Sequence, residues 1–241
     1  MVVYLTGMHS SGTSLTAFYL HHCGVDMRIE GSKLAECLDI RQVSHSILND
    51  SHIHRYAKEF DHTQLNPSPE TIRKMETQIK KTITSVGNKD WGWKAPINSL
   101  CIWKWIPMLA QYVNNDEIVI IHVIRHPAEV VDSFMRRKRP EDVEFVGKDG
   151  NPESKIENIW YNYAKSVMDF ENQNQKKYKF LYVFSRGFIK KTALLTKALD
   201  IKYKPLSDIL DKNRLKSSKQ LIFRNEESQE LWQRLNDKKL V

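Results

Sequence analysis

Two short stretches carry residue types whose spacing suits the chemistry of anions. Gly7-Met8-His9-Ser10-Ser11-Gly12-Thr13-Ser14 has the Gly-x4-Gly spacing of a phosphate-cradling loop. In such a loop the backbone N–H groups and the helix N-terminus behind them hold the oxygens. ATP- and GTP-binding loops continue with Gly-Lys-Ser/Thr, but here Thr13 stands where that lysine belongs. The loop reads as an anion site without the standard lysine; the plainer alternative is an ordinary glycine-containing turn between a strand and a helix. The second stretch is the run 118–124, Ile-Val-Ile-Ile-His-Val-Ile, which ends at Arg125. Mg²⁺-using enzymes with phosphate loops commonly place an aspartate at the end of such a strand to hold the metal. An arginine there suits direct binding of an anion, and Ser133, eight residues on, adds a hydroxyl toward the same oxygens. The plainer alternative pairs Arg125 with Glu129 or Asp132 at the surface.

Positioning these groups requires strands that end at the loops. Residues 2–6 (Val-Val-Tyr-Leu-Thr) form a β-favouring run that stops at Gly7. An apolar helical pattern through Leu15, Phe18, Tyr19 and Leu20 follows and stops at Gly24. Residues 34–62 read as helical and polar. Ser68 or Pro69 then opens a helix carrying Ile72, Met75, Ile79 and Ile83. Trp91-Gly92-Trp93 reads as a short strand leading into Lys94-Ala95-Pro96. The run 118–124 is continuous and β-branched, as a strand buried on both faces should be, and Pro127 suits the first turn of the next helix. Residues 138–155 read as a mobile charged loop, 156–172 as a helix, 179–184 as a strand and 188–199 as a helix. Strands alternating with helices predict an α/β fold, a central parallel sheet flanked by helices in one domain.

Composition narrows the partners. The chain has 241 residues and a net charge of +8, from 37 Lys plus Arg against 29 Asp plus Glu. With 41% apolar and 27% charged residues it is neither a disordered tail nor a low-complexity scaffold. The positive balance fits an anionic partner. Cys23, Cys37 and Cys101 are too few and too scattered for a disulfide framework, which predicts a reducing compartment. No apolar run approaches the roughly 20 residues of a membrane span, and the first residues lack the basic segment of a signal peptide. A cytoplasmic protein is expected. Six of the nine histidines fall in 21–62, yet no Cys-x2-Cys or His-Glu-x2-His pattern accompanies them, so no metal site is expected.

Together the two anion stretches bring a family into view. Residues 7–15 resemble the 5′-phosphosulfate loop of sulfotransferases that use 3′-phosphoadenylyl sulfate (PAPS). Residues 125–133 look like their 3′-phosphate motif, with arginine and serine at the family spacing. Trp91-Gly92-Trp93-Lys94-Ala95-Pro96 is similar to a segment that often reads Trp-Gly-x-Lys-Asp-Pro in bacterial members, and Trp160-Tyr161-Asn162-Tyr163 resembles a Trp/Tyr-Asn helix that follows. The resemblance spans roughly residues 1–190. It implies a P-loop-like sulfotransferase domain over 1–241, with Ser10, Ser11, Gly12, Thr13 and Ser14 at the 5′ end of PAPS and Arg125 and Ser133 at its 3′-phosphate. It also implies that Lys94 stabilises charge as the donor bond breaks. Residues 33–48 resemble the early helix that carries the base in glutamate-using members and align Glu36 with it; His9 and Asp39 are reserves. The implied partner is a small-molecule or carbohydrate acceptor, with no nucleic acid and no metal.

Several positions depart from the family pattern. Many members carry Lys or Arg where this chain has Ser10, so Lys94 or another cation must reach the leaving phosphate. Ala95 replaces the common aspartate, and Asp211-Lys212-Asn213-Arg214-Leu215-Lys216 looks only faintly like the basic tail segment. Trp91, Trp93, Trp103 and Trp105 are expected in the core. The run Arg136-Arg137-Lys138-Arg139 is expected as a solvated helix end that can also attract an acidic acceptor. Two other readings stay open: a Mg²⁺-dependent small-molecule kinase, against which Thr13 and Arg125 argue, and a degenerate binding protein without turnover, for which Ser10 and Ala95 argue.

Overall fold

A computed structural model describes residues 1–29, 32, 34–136, 151–206, 223 and 225–238. The β-favouring run at the start forms β1 (Val2–Thr6), and all five of its residues are buried. The Trp-Gly-Trp segment forms β2 (Trp91–Lys94), the isoleucine-rich run forms β3 (Ile118–Ile124), and β4 is Lys179–Phe184. Among the described residues they make one parallel sheet in the order β2-β1-β3-β4. The chain leaves β1 to one side for β2 and returns past it to β3. Open α/β sheets bind ligands outside the carboxyl ends of the strands where the order reverses in this way. The phosphate-type loop after β1 and Arg125 after β3 both lie there.

Alternation along the strands divides the core in two. Val2 and Tyr4 of β1 with Ile118 and Ile120 of β3 face one side, while Val3 and Leu5 with Val119, Ile121 and Val123 face the other. The second face is covered by α1 (Thr13–His22) and α7 (Phe188–Leu199). The first is covered by α2 (Leu38–Asp50), α3 (Pro69–Val86), α4 (Asn98–Leu109), α5 (Pro127–Met135), α6 (Pro152–Asn174) and α8 (Glu226–Asp237). Trp91, Trp93 and Trp105 are buried in the first core, as expected. Ser68 caps α3 by accepting from the Thr71 N–H, and His126 caps α5 by accepting from the Ala128 N–H, with Pro127 in the first turn.

The structure corrects several expected boundaries. The helix expected over 34–62 is only α2, because Ala35 (φ 51°) and His52 (φ 55°) turn the chain through left-handed conformations at either side. Neither residue is a glycine, so nothing in the sequence marks those turns. Glu36 therefore precedes the helix instead of lying on it. The segment 98–109, left without an element by its periodicity, is α4: most of its residues are buried, so no polar face gives it a 3.6-residue rhythm, and Pro107 sits inside it. The helix expected at 156 begins at Pro152, with the Asn151 side chain accepting from the Glu153 N–H. The remainder of the expected loop 138–155 falls mostly outside the described residues, as does the 211–216 segment.

Candidate active site

The loop after β1 is built around two backbone constraints. Gly7 has φ 137°, and a Cβ there would stand 2.4 Å from the Val123 carbonyl oxygen, so only glycine lets β1 turn this close to β3. Gly12 has φ 95° and is the N-cap of α1; it offers no side chain to the helix, so no side chain caps the first turn. Helix geometry leaves the N–H groups of that turn without intrahelical acceptors, and together they present partial positive charge to the space in front. The start of α4 clamps the loop from below. The Gly7 N–H donates to Ser99 Oγ at 3.1 Å, Ser99 Oγ lies 2.7 Å from Thr6 Oγ1, and the Asn98 amide donates to the Leu5 carbonyl at 3.2 Å.

The cleft in front of this loop gathers most of the residues singled out by the sequence. His9, Ser10, Thr13 and Ser14 line one side, and Glu36, Lys94, Pro96 and Ile97 line it with Arg41, His45 and Arg55. Lys94, the last residue of β2, is 1% exposed, and its ammonium donates to Glu36 Oε1 at 3.1 Å and to the Leu34 carbonyl at 2.8 Å. The hydroxyl of Ser14 donates to the same carbonyl at 2.8 Å, so one backbone oxygen joins the loop to β2. Glu36 Oε2 accepts from Arg41 at 2.9 Å. A buried carboxylate thus has one cation on each oxygen. That geometry matters because a buried charge without a partner is strongly destabilising. The carboxylate still has unused acceptor positions, since each of its oxygens has two lone pairs.

Other expected residues are placed differently. Ser11 is buried, and its N–H closes the turn on the Met8 carbonyl at 3.2 Å. Asp39 lies on α2 with its side chain 54% exposed, paired with Lys81 at 3.4 Å, and does not line the cleft. The His9 ring packs against Tyr56 and Tyr163. Arg125 donates through Nε to Glu129 Oε2 at 3.2 Å, as the plainer alternative expected, and also through a terminal nitrogen to the Ser10 carbonyl at 3.0 Å. It lines a second cleft of about 570 Å³ at the ends of β3 and β4, together with Arg186, Lys191, Trp232 and Lys238. Glu129 and Asp237 offset part of that positive charge. Ser133 is half-buried on α5 and lines neither cleft among the described residues. Arg136 pairs with Asp132 at 3.0 Å, and the rest of that basic run falls outside the described residues.

Helix α6 holds both sites from behind. The Trp160 indole donates to the Arg125 carbonyl at 3.0 Å, Asn162 donates to the carbonyls of Ala57 and Lys58, and the Tyr163 hydroxyl donates to the carbonyl of Arg55. The Trp-Tyr-Asn-Tyr segment therefore fixes backbone at both clefts. Sequence reasoning missed Arg41, His45 and Arg55 in the first cleft and Arg186, Lys191 and Lys238 in the second. Arg41 and His45 stand four apart on one face of α2, a spacing that was available as a signal. His45 is held below the usual histidine range by burial first and then by Arg55 and Arg41, so it sits in the cleft as a neutral imidazole near pH 7.

Among the described residues no group of three or more His, Cys, Asp or Glu converges on a point, and no helix is long and apolar enough to cross a membrane. No protein-family model and no curated protein matches the chain. Solved structures do. The sulfotransferase domain from the curacin biosynthetic pathway superimposes with a TM-score of 0.56 at 12% identity, covering 99% of this chain and 98% of that one. The sulfotransferase domain from the Synechococcus PCC 7002 olefin synthase gives 0.53 at 13% identity, covering 98% and 94%. At these identities the likeness concerns the fold: a parallel sheet flanked by helices, arranged as in sulfotransferase domains from end to end.

Proposed function

We propose that the protein is a PAPS-dependent sulfotransferase that moves a sulfuryl group to an acceptor hydroxyl or amine. The observation that carries the proposal is the pairing of Lys94 with Glu36 in a cleft directly in front of an uncapped helix N-terminus. PAPS has a phosphosulfate at its 5′ end and a phosphate at its 3′ position, so its recognition needs two anion sites on one sheet edge. The first-turn N–H groups of α1 suit the 5′ end. Arg125, bonded to the Ser10 carbonyl, stands between that loop and the cationic second cleft, where the 3′-phosphate and nucleoside fit. Ser133 is then a more distant support.

Transfer follows from these positions. The acceptor oxygen attacks sulfur in line with the bridging oxygen, its proton passes to the Glu36 carboxylate, and the S–O bond to the phosphate breaks. Adenosine 3′,5′-bisphosphate leaves with the electron pair. Lys94 meets the charge that develops on the bridging or sulfuryl oxygens, the role a basic residue at position 10 plays in many sulfotransferases. It is a preorganised donor, because Leu34 and Glu36 hold it in place before substrate arrives. His45 is the second candidate for the base, since its imidazole is held neutral in the same cleft. His9 lines the same cleft, its ring packed against Tyr56. Sulfur-35-labelled PAPS, incubated with the protein and a panel of sugar, phenol and lipid alcohols, tests the reaction. Label is expected to leave the donor with wild type and to stay with Lys94→Ala. Full retention by the wild type, across the panel and against water, contradicts the proposal.

A further inference from the structure

The first cleft holds only about 100 Å³, far below the roughly 300–1,000 Å³ of a typical ligand site. It suits a group in transfer more than a whole acceptor. A third cleft of about 460 Å³ adjoins it, and Arg55 and His45 line both. Leu48, Asn49, His52, Ile53 and His54 supply the rest of its wall. An acceptor lying there would point one end at the transfer loop and pass Arg55 on the way. Arg55 belongs to the irregular segment after α2, and the Tyr163 and Asn162 side chains pin that segment by its carbonyls.

The two arginines of this passage differ in how their charge is met. Arg41 is committed to Glu36, although its side chain remains 39% exposed. Arg55 pairs with no carboxylate among the described residues. Its guanidinium lies over the face of the Tyr56 ring, 4.6 Å from the centroid, which fixes it without neutralising it. Burial and both arginines hold the neighbouring His45 neutral, and burial and then Arg55 do the same to His54. The neutral His45 beside a guanidinium with no carboxylate partner among the described residues offers an N–H donor next to a positive charge, which is the coordination an oxyanion requires. An arginine fork suits a carboxylate or a phosphate alike.

We infer that the acceptor carries an oxyanion group beside the hydroxyl that is sulfated, and that Arg55 is the residue that selects it. The inference rests on the sulfotransferase reading, because it takes the transfer loop to be where the hydroxyl must reach. It concerns selection of the acceptor; recognition of the donor's 3′-phosphate and nucleoside is left to the second cleft, which Arg55 does not line.

The test separates the two readings by saturating the donor site first. Calorimetry with adenosine 3′,5′-bisphosphate comes before any acceptor probe; absence of binding there overturns the sulfotransferase reading and this inference with it. Glycerol, glycerate and glycerol 3-phosphate are then titrated into the bisphosphate-saturated protein at constant ionic strength. Either or both anionic probes are expected to bind at least about tenfold more tightly than glycerol, the gain of one charge-assisted contact. Which of the two is tighter distinguishes a carboxylate from a phosphate acceptor. Arg55→Gln is expected to remove the preference and Arg55→Lys to restore part of it, each variant titrated with the bisphosphate at saturation. Equal affinity for glycerol and the anionic probes overturns the inference. So does an anion preference that survives Arg55→Gln, which would locate the anion on the transfer loop.

Discussion

The clefts at the two halves of the sheet use positive charge in opposite ways. At the ends of β1 and β2 the charge is internal: Lys94 and Glu36 are almost fully buried, and Arg41 closes the set from the rim. At the ends of β3 and β4 the cations are partly or fully exposed, and they come from three separate places: Arg125 after β3, Arg186 and Lys191 around the start of α7, and Lys238 after α8. A buried, cross-paired cation is costly to assemble and does not rearrange, which suits a group that must be aimed at a reacting atom. Exposed cations in a wide cleft are screened by water and salt and serve to hold a multiply charged ligand. Under the proposed function, one half of the sheet would serve transfer and the other grip.

Substitutions at the two clefts should therefore fail differently. The largest effect is expected at the turn out of β1 that leads into the loop. Gly7→Ala drives a Cβ into the Val123 carbonyl at a left-handed φ, and should cost about 3 kcal/mol or more in urea unfolding. Lys94→Ala comes next. It leaves Glu36 buried against a single cation, so a loss of about 3–5 kcal/mol in stability should accompany the loss of transfer. Arg125→Ala, by contrast, should weaken adenosine 3′,5′-bisphosphate binding roughly 10- to 100-fold while leaving the first cleft assembled. If Lys94→Ala proved neutral for stability, the distinction between a buried transfer site and an exposed grip would collapse.

Acid should reach the sheet through its two buried histidines. His122, bonded to Thr6 Oγ1 beneath the loop, is pushed down to about 3 by burial, and His126, the cap of α5, down to about 4. Each is neutral in the folded state over a range where the unfolded chain already binds a proton. Their contribution is complete above about pH 6.5 and is lost as pH falls toward the folded values. Denaturation between pH 6.5 and 4 should show a decline of up to about 1.4 kcal/mol per pH unit for each histidine. His126→Asn, which keeps an acceptor for the Ala128 N–H, should make that decline shallower. The smallest effect belongs to Asp39→Asn. Its pair with Lys81 is exposed on both sides, so stability should change by less than about 0.5 kcal/mol and transfer not at all.

How far the sequence was legible follows the same division. β1 and β3 were readable because burial on both faces demands continuous apolar runs, and the starts of α3 and α5 because Ser68 and the His126-Pro127 pair satisfy helix ends locally. The loop at 7–14 and the arginine at 125 were readable as motifs for a related reason, since backbone turns and strand ends impose their own residue types. Helix α4 escaped because burial on most of its surface erases the rhythm that marks a helix. The contact between Glu36 and Lys94 joins positions 58 residues apart and depends on a left-handed alanine, which no local pattern announces. Arg55 escaped for the same reason: its segment is held by hydrogen bonds from α6 to the carbonyls of Arg55, Ala57 and Lys58, over a hundred residues away. The motifs mark the candidate anion loop and strand end, while the other side chains that line the clefts are set by tertiary contacts.

The most direct test of the account is a calorimetric titration of adenosine 3′,5′-bisphosphate, 5′-AMP and ATP with Mg²⁺ into the wild type and Arg125→Ala. The account predicts that the bisphosphate binds at least about tenfold more tightly than either other nucleotide and that Arg125→Ala removes the difference. Binding of ATP with Mg²⁺, with no binding of the bisphosphate, would contradict it and make the protein a phosphoryl-transfer enzyme on a sulfotransferase-like fold.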